Sequence, residues 1–385
     1  MSSSTRSPRR LPPEVRTTVV GRDAEIGALL AVQRSLAGYG PGDLVVIEGA
    51  RGAGKTCLLG AVHERICHVD WWPAYRGVAD PTQFPELIVE LLADAVAGVS
   101  QQRPGAGSTL DMQAIVVSLA ASIGAPSPFD VAPHVGVATA ADLRNDVEDV
   151  LARLGALFHE LGSGLFLLLD DAHRARPAHV EAVLGAASSV SRSGLPVVLV
   201  ASRLPGPPFA VLHQVLALDP LSPEAVATIV REVELARGGE WRDDAIATIV
   251  ELAGGNPMLA GCYARAAARV APGDRVGAQA VLATRTEAEE GLALELLPAG
   301  SPRELSRLPG PQRRFLVAVA DLGGLDVGLE SIARHLGDTT RLGGATTTVA
   351  RTAEALIAAG LLSVNADNEV SFPFNFVGRL VDALR

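Results

Sequence analysis

The sequence predicts an α/β protein in which helices cover both faces of a parallel sheet, followed by a helical segment and a small C-terminal domain. Up to about residue 220, short and continuously apolar runs alternate with helical patterns, as is typical of buried parallel strands joined by helices. From Ser222 the pattern becomes helical, and the chain closes with two short strand patterns around an Asn-Ala-Asp-Asn turn. We therefore expect four segments, with boundaries at 1–18, 19–220, 221–300 and 301–385.

Composition limits the class of protein. The chain has 385 residues, 48% of them hydrophobic, which is enough for a globular protein of two or three domains. It contains no apolar run of about 20 residues and no apolar signal-peptide core, so we predict a soluble cytoplasmic protein without a membrane partner. A net charge of −10 argues against a chain that coats nucleic acid through bulk charge. The three cysteines lack metal-ligand spacing and are typical of reduced, structural thiols.

The elements of the first 220 residues follow one another in a regular order. The first 18 residues hold four arginines, one acid and no periodicity, which predicts a disordered tail. Hydrophobic periodicity and strand-like runs then predict a helix from Asp23, a strand at 43–48, a helix from Thr56, a strand at 71–80, helices at 84–96, 112–123 and 142–161, a strand at 165–171, a helix at 179–190, and strands at 196–203 and 214–221.

The remaining residues read as helices with a terminal hairpin. Helical patterns cover 222–235 and 243–270, a Gly-, Ala- and Glu-rich stretch at about 271–305 predicts a connector, and further helices are expected at 311–323, 329–337 and 347–360. Two strands at 361–372 complete the order helix, helix, helix, hairpin, which is that of a winged helix.

Lys55 is the single lysine among 33 Lys+Arg residues. It lies in GARGAGKT at 49–56, which fits G-x-x-x-x-G-K-[ST] between a predicted strand and a predicted helix. Such a loop wraps backbone N–H groups around phosphates, while the lysine reaches the β- and γ-phosphates and the following hydroxyl ligates Mg²⁺. A forked guanidinium is too wide for this cradle, which explains why lysine persists here.

The motif predicts a P-loop that binds ATP or ADP with Mg²⁺; the alternative is a glycine-rich turn that happens to contain a lysine. The expected nucleotide-binding residues of the loop are Gly49, Gly52, Ala53, Gly54, Lys55, Thr56 and Cys57.

Two acidic residues follow the apolar strand at 165–169. Ligands of open α/β sheets lie at the carboxyl ends of the strands, so we expect Asp170 to hold Mg²⁺, usually through water, and Asp171 to orient or deprotonate the attacking water. Aspartate reaches less far than the glutamate that motor ATPases often have at this position, so we expect slow hydrolysis. The alternative is a solvated strand end.

Ser202 and Arg203 end the next strand, at 196–203. In this layout they lie beside the γ-phosphate, where a cation can detect the terminal phosphate and couple it to domain movement. We therefore include Arg203 with Lys55 and Asp171 as catalytic candidates and Ser202 as a nucleotide contact. The alternative is a surface arginine after a strand.

Five segments of the chain carry a resemblance to a known family; in order, they are VVGRDAE, GARGAGKT, LLLDDAH, VASR and GGNP. Together they resemble the STAND branch of AAA-type P-loop ATPases. They are similar to bacterial origin-recognition-like ATPases and to the nucleotide modules of large LuxR-type regulators. AAGLLSVNADNEVSFPFNF resembles the winged helix of the former group. The resemblance implies that Val20, Gly21 and Arg22 line an adenine pocket and that Asn256 and Pro257, in a helical lid, touch the nucleotide. As alternatives, these residues form a strand–helix junction and a helix-breaking turn.

Three functions fit these observations. The first is an ATP/ADP switch that slowly hydrolyses ATP and positions the winged helix for contact with a protein partner or another copy. The second is a DNA-binding initiator or regulator. Residues 301–385 hold nine arginines and nine acidic residues, whereas a DNA reader usually has a basic face, so we expect DNA affinity to be weak. The third is a small-molecule kinase, which does not account for the GNP lid or the winged helix.

Overall fold

The computed structural model describes residues 11, 19–37, 44–67, 71–102, 107–129, 140–206, 208–211, 213–237, 240–271, 275–296, 302–337, 345–365, 367–374 and 376–382. Nearly all of the predicted N-terminal tail lies outside these residues. The chain divides into two compact units. The first comprises residues 1–48, 54–203 and 209–218, and the second comprises 49–53, 204–208 and 219–385.

A five-stranded parallel sheet forms the centre of the first unit. Its strands are β1 (Val45–Glu48), β2 (Trp71–Gly77), β3 (Gly164–Asp170), β4 (Val197–Arg203) and β5 (Gln214–Ala217). They lie in the order β2-β3-β4-β1-β5, and every pairing is parallel. The predicted α/β class and the predicted strands are thus confirmed, and the order matches a P-loop nucleotide-binding core.

Six helices belong to this unit: α1 (Asp23–Ala37), α2 (Lys55–Ile66), α3 (Phe84–Gln102), α4 (Gly107–Ile123), α5 (Ala140–Glu160) and α6 (Pro177–Arg192). Short 3₁₀ turns lie at 81–83 and 172–174. In α5 the buried residues recur at helical spacing, at Leu143, Val147, Leu151, Leu154 and Phe158, so that one apolar stripe faces the core. Strands β3 and β4 are buried along their whole length, as expected for central strands covered on both faces.

The second unit begins with a helical segment. It contains α7 (Pro223–Arg237), β6 (Glu240–Trp241), α8 (Asp243–Ala253), α9 (Pro257–Val270), β7 (Arg275–Val276) and α10 (Ala278–Leu296). Strands β6 and β7 pair in parallel. Two glycines with positive φ, Gly254 and Gly255, separate α8 from α9.

The predicted connector at 271–305 is wrong for most of its length, because α10 occupies residues 278–296. Alanine, leucine and glutamate are strong helix formers. Val281, Thr284, Ala288 and Leu292 are buried at the three- and four-residue spacing of one helix face. Glycine and alanine are frequent at 271–305 and contribute little hydrophobic contrast, so the apolar face of α10 was not evident in the sequence.

The C-terminal part of the second unit contains α11 (Pro302–Arg307), α12 (Gly310–Asp321), β8 (Val327–Gly328), α13 (Leu329–His335), α14 (Ala345–Ala358), β9 (Ser363–Val364), β10 (Glu369–Ser371) and α15 (Val377–Asp382). Strands β8, β10 and β9 form a small antiparallel sheet in that order. The three predicted helices and the hairpin are present, and β8 joins the hairpin as a third strand.

Among the described residues, we find no helix with both the length and the apolar character needed to cross a lipid bilayer.

Candidate nucleotide site

The glycine-rich loop joins β1 to α2 through a tight turn. The N–H of Ala53 donates to the carbonyl of Ala50 at 3.2 Å, and Gly52 and Gly54 have φ values of 76° and 94°, a region open to glycine without strain. Helix α2 begins at Lys55 with no side-chain cap on its first turn. The first N–H groups of a helix lack acceptors within the helix and make its N-terminus an anion site, so this turn fits a phosphate.

Lys55, Thr56 and Cys57 occupy the first turn of α2. Lys55 is 7% exposed, and Thr56 and Cys57 are partly buried. The sequence predicts these residues, with Gly49 and Ala53, as phosphate or Mg²⁺ contacts. Their placement in one loop and one helical turn is consistent with that prediction, because the motif requires continuous backbone from loop to helix.

Asn256 holds the backbone of the glycine-rich loop. Its side-chain oxygen accepts hydrogen bonds from the N–H groups of Met258 and Leu259, at 3.0 and 3.2 Å, and so caps α9. Its amide nitrogen donates to the carbonyl of Arg51 at 2.8 Å. The expected contact of Asn256 with nucleotide stays a prediction. What we observe is a contact with the loop that would hold the nucleotide.

Gly52 is required by the same contact. A Cβ atom built on Gly52 would lie 2.6 Å from Cε of Met258 and 2.8 Å from Oδ1 of Asn256. The N–H of Met258 also approaches the carbonyl of Gly52 at 3.4 Å. The GGNP sequence therefore supplies a turn, a helix cap with Pro257 in the first helical turn, and a surface that fits a glycine at position 52.

Asp170 is held firmly at the end of β3. It is 3% exposed, and its Oδ1 atom accepts hydrogen bonds from the hydroxyl of Ser202 and from the N–H of Asp171, the latter at 3.0 Å. Its Oδ2 atom accepts one from the hydroxyl of Tyr75 at 2.9 Å. Three donors from three places in the chain thus fix the orientation of this carboxylate.

Tyr75, on β2, is a site residue that the sequence analysis missed. Burial, and then the charge of Asp170, raise the pKa of its phenol well above the ordinary range. The phenol therefore stays protonated and donates its hydrogen bond to Asp170. An aromatic residue in a buried strand is typical of a core position, so nothing in the sequence distinguished Tyr75.

Asp171 differs from Asp170 in environment and backbone. Its φ of 54° is left-handed, a conformation that non-glycine residues adopt uncommonly and that often marks functional sites. Its side chain is 40% exposed, and Oδ1 lies 3.9 Å from Nδ1 of His173. Asp170 and Asp171 therefore form a buried and an exposed carboxylate side by side, as the different roles predicted for them require.

Ser202 and Arg203 both contact protein groups at the end of β4. The hydroxyl of Ser202 donates to Asp170 and accepts from the N–H of Asp171 at 3.0 Å. Arg203 is 5% exposed and forms an ion pair with Glu48, with Nε 2.7 Å from Oε1. Its guanidinium carbon also lies 4.3 Å from the ring centroid of Phe209.

The predicted phosphate contacts of Ser202 and Arg203 therefore stay predictions. Glu48 and Arg203 are direct partners in the register of β1 and β4. Glu48 immediately precedes the glycine-rich loop, so the arginine is tied to the strand that leads into that loop.

The predicted adenine-binding segment lies at the start of α1. Gly21 has a φ of 69°, and buried Arg22 donates from Nη1 to Oε1 of Glu25 at 2.8 Å. The pairing orients Arg22 along its own helix. Contacts of Gly21 and Arg22 with a nucleotide stay predictions.

The residues present fit a nucleotide with Mg²⁺. The helix N-terminus at Lys55 suits phosphate oxygens, and Thr56 and Asp170 offer one hydroxyl and one carboxylate. Mg²⁺ in phosphate-transfer sites keeps several waters and uses one or two carboxylates together with substrate phosphates. Within the described residues, we find no group of three or more His, Cys, Asp or Glu residues suited to a metal.

Comparison with known proteins finds one family match that includes this site. Residues 18–200 match the family described as the AAA ATPase domain, which includes the P-loop, Asp170 and Asp171. A search of curated proteins finds no match.

Solved structures share the fold across nearly the whole chain. The Walker-type ATPase of Pyrococcus abyssi is 15% identical with a TM-score of 0.60, and the alignment covers 97% of this chain and 99% of that one. The ORC2 protein of Aeropyrum pernix, solved in ADPNP–ADP complexes, is 17% identical with a TM-score of 0.51, and the alignment covers 97% and 94%. Residues 18–200 of this chain thus match an AAA ATPase domain, and nearly the whole chain shares the fold of these solved structures.

Proposed function

We propose that this protein is an ATP-binding switch that hydrolyses ATP slowly. In this proposal, the nucleotide state sets the position of a winged-helix domain at residues 301–385, which then contacts a protein partner or another copy of the chain. The AAA ATPase domain supports the nucleotide half of the proposal. The hydrogen bonds that run from the glycine-rich loop to the C-terminal helix support the switch half.

The proposed chemistry assigns one role to each polar group. Lys55 neutralises the β- and γ-phosphates, and Thr56 and Asp170 hold Mg²⁺, whose charge stabilises the phosphate oxygens. Asp171, more exposed than Asp170, orients the attacking water. Arg203 responds to the γ-phosphate, and to do so it exchanges Glu48 for a phosphate oxygen. That exchange costs a charged hydrogen bond of about 1.5–3 kcal/mol, which makes the response sensitive to the presence of the γ-phosphate.

Helix α9 provides the first step of coupling. Asn256, its cap, bonds to the carbonyl of Arg51 in the glycine-rich loop. Tyr263 lies on the same helix, about 10 Å further on at 1.5 Å per residue. A shift of the loop backbone when phosphate binds would therefore act directly on the end of a rigid helix.

A buried glutamate provides the second step, and this is the observation that carries the proposal. Glu289, on α10, is 4% exposed. It accepts hydrogen bonds from the hydroxyl of Tyr263 at 2.8 Å and from Nε of Arg285 at 2.9 Å, and it forms an ion pair with Arg379 on α15. We call these four residues the Glu289 cluster. It joins α9 and α10 to the last helix through one carboxylate.

Releasing α15 from the Glu289 cluster costs free energy. A buried charge is costly unless it is paired and hydrogen-bonded, and separating one partner from a buried pair typically costs about 3–5 kcal/mol. Arg379 is partly exposed, so the cost of releasing α15 is lower than this figure. A moderate cost suits a switch, because the binding energy of ATP has to shift the equilibrium.

Hydrogen exchange of the wild-type protein tests the proposal. With Mg-ATP or Mg-ADP bound, amides of α15 and of the adjoining hairpin should exchange at different rates, since the two nucleotides place the winged helix differently. Phosphate release should be slow but measurable. Identical exchange in the two states would contradict a switch.

DNA binding is the outcome that would revise the proposal. In a DNA-binding winged helix we expect the recognition helix at 346–359, which corresponds to α14 (Ala345–Ala358). Across 348–357, where its side chains are described, Arg351 is the one cation and Glu354 is exposed nearby. Arg341, which would be needed for a basic face, lies outside the described residues.

Contacts between cations and phosphates dominate DNA affinity, and the described part of α14 has one cation, Arg351, for such contacts. The hairpin adds exposed Asp367 and partly buried Glu369, which would repel phosphates. Fluorescence anisotropy of the full chain should therefore give only weak, non-specific DNA binding. Sub-micromolar, sequence-selective affinity at physiological salt would make the DNA-binding function the leading one.

A further inference from the structure

Tyr75 and Asp170 meet between neighbouring strands. Gly77 of β2 pairs with Asp170 of β3, and the N–H of Val78 donates to the carbonyl of Asp170 at 3.0 Å. Tyr75 lies two residues before Gly77, and residues two apart in a strand face the same side of the sheet. Tyr75 therefore faces the same side as Asp170, the partner of Gly77. This places the phenol hydroxyl 2.9 Å from Oδ2 of Asp170.

The hydrogen bonds described above leave one acceptor position on the carboxylate of Asp170. An ionised carboxylate has about four acceptor positions, two on each oxygen. The Oδ1 atom accepts from Ser202 and from the N–H of Asp171, whereas Oδ2 accepts from Tyr75. The remaining acceptor position is therefore on Oδ2, and the phenol determines where it points.

We propose that Tyr75 is a positioning residue for Mg²⁺. By occupying one side of Oδ2, its hydroxyl aims the remaining acceptor position at a metal-bound water. This inference rests on the proposed role of Asp170 as the Mg²⁺ residue. Groups that orient metal ligands matter strongly, since their removal typically costs about 10–100-fold in metal affinity.

The aromatic ring and the hydroxyl have separable effects. Tyr75 is buried, so its ring contributes to the core whether or not the hydroxyl is present. Tyr75→Phe keeps the ring and removes the donor. The chain offers a matched control: Tyr263 is also buried and donates to a buried carboxylate, Glu289, in the second unit. Tyr263→Phe therefore removes an equivalent hydrogen bond to a carboxylate other than Asp170.

The experiment is calorimetric binding of ATP over a series of Mg²⁺ concentrations and in EDTA. For Tyr75→Phe we expect ATP affinity in EDTA to stay within about twofold of wild type. The Mg²⁺ concentration that gives half of the Mg²⁺-dependent gain in ATP affinity should rise about tenfold. Titration of the ATP-bound protein with Mn²⁺, followed by electron paramagnetic resonance, should show the same loss of metal affinity. Tyr263→Phe should leave the Mg²⁺ requirement unchanged.

Two results would overturn the inference. One is a wild-type Mg²⁺ requirement in Tyr75→Phe, and the other is an equal loss of ATP affinity with and without Mg²⁺, which a structural role alone would produce. If Tyr75→Phe does not fold, Ser202→Ala removes another donor to Asp170, and it should raise the Mg²⁺ requirement in the same way. Failure of the wild-type protein to bind ATP would instead refute the proposed function.

Discussion

Both the composition of the chain and the geometry of the glycine-rich loop indicate that Lys55 binds phosphate. The other basic residues among the 33 are arginines, and lysine persists at the first helical position of α2, directly after a glycine with left-handed φ. A compact ammonium fits beside backbone N–H groups, whereas a planar, forked guanidinium needs more width.

Substitution of Lys55 tests this argument. Lys55→Ala should abolish ATP binding, and Lys55→Arg should weaken it severely although the charge is kept. Isothermal calorimetry gives both affinities, and thermal unfolding provides the control for folding. Wild-type affinity in either variant would refute the assignment of this loop to phosphate binding.

The neighbouring aspartates should separate metal dependence from turnover. Because Asp170 is buried and held by three donors whereas Asp171 is substantially exposed, we assign the action on water to Asp171. Asp171→Asn should keep Mg-ATP bound and lower turnover, and Asp170→Asn should impair the dependence on Mg²⁺. Unimpaired turnover in both variants would remove this strand end from the site.

In our proposal, Arg203 has to leave its ion pair with Glu48 before it contacts the γ-phosphate. In Glu48→Gln, the charged hydrogen bond of about 1.5–3 kcal/mol no longer has to be broken, so the preference for ATP over ADP should rise about 10- to 100-fold. The melting temperature should fall, because a buried arginine loses its charged partner. Competition binding measures the preference, and a preference unchanged from wild type would show that Arg203 does not respond to the γ-phosphate.

At the scale of elements, the loop between β1 and α2 depends on glycine at position 52. Gly52→Ala would force a Cβ into Met258 and Asn256 at a φ of 76°. It should therefore lower both stability and ATP affinity. Gly27→Ala is the matched control, since a Cβ at Gly27 in α1 meets nothing within 4 Å; it should raise the free energy of unfolding by about 0.5–1 kcal/mol. Equal melting temperatures in the two variants would contradict the contact.

The sequence was sufficient to predict elements that carry a local signal. The apolar run of β3 followed by two aspartates, and the glycine-rich loop before α2, combine periodicity with motif, and the parallel sheet follows from such strands. Helix α10 was missed because alanine and glycine weakened its stripe. Tyr75, the contact of Asn256 with Arg51, and the Glu289 cluster depend on residues far apart in the chain, so local patterns contained no signal for them.

At the scale of the molecule, the division into units bears on how a switch would work. Residues 49–53 of the glycine-rich loop group with the second unit, which also contains the helical segment and the C-terminal helices. Within that unit, hydrogen bonds connect Arg51 to α9, and the Glu289 cluster connects α9 and α10 to α15. In the proposed switch, a nucleotide bound at the loop would act on α15 through these bonds.

The Glu289 cluster makes the central claim directly testable by comparing two variants of α10. Glu289→Gln removes the charge that holds Arg379, whereas Glu287→Gln removes one that forms an exposed pair with Arg269, at 3.3 Å. Glu287→Gln should bind ATP like the wild type, and Glu289→Gln should bind it at least as tightly, because ATP no longer has to shift the position of α15. Hydrogen exchange of α15 should respond to the change from ADP to ATP in the wild type and in Glu287→Gln, and it should lose that response in Glu289→Gln. A full response in Glu289→Gln would contradict the proposal that this cluster couples the nucleotide to the C-terminal domain.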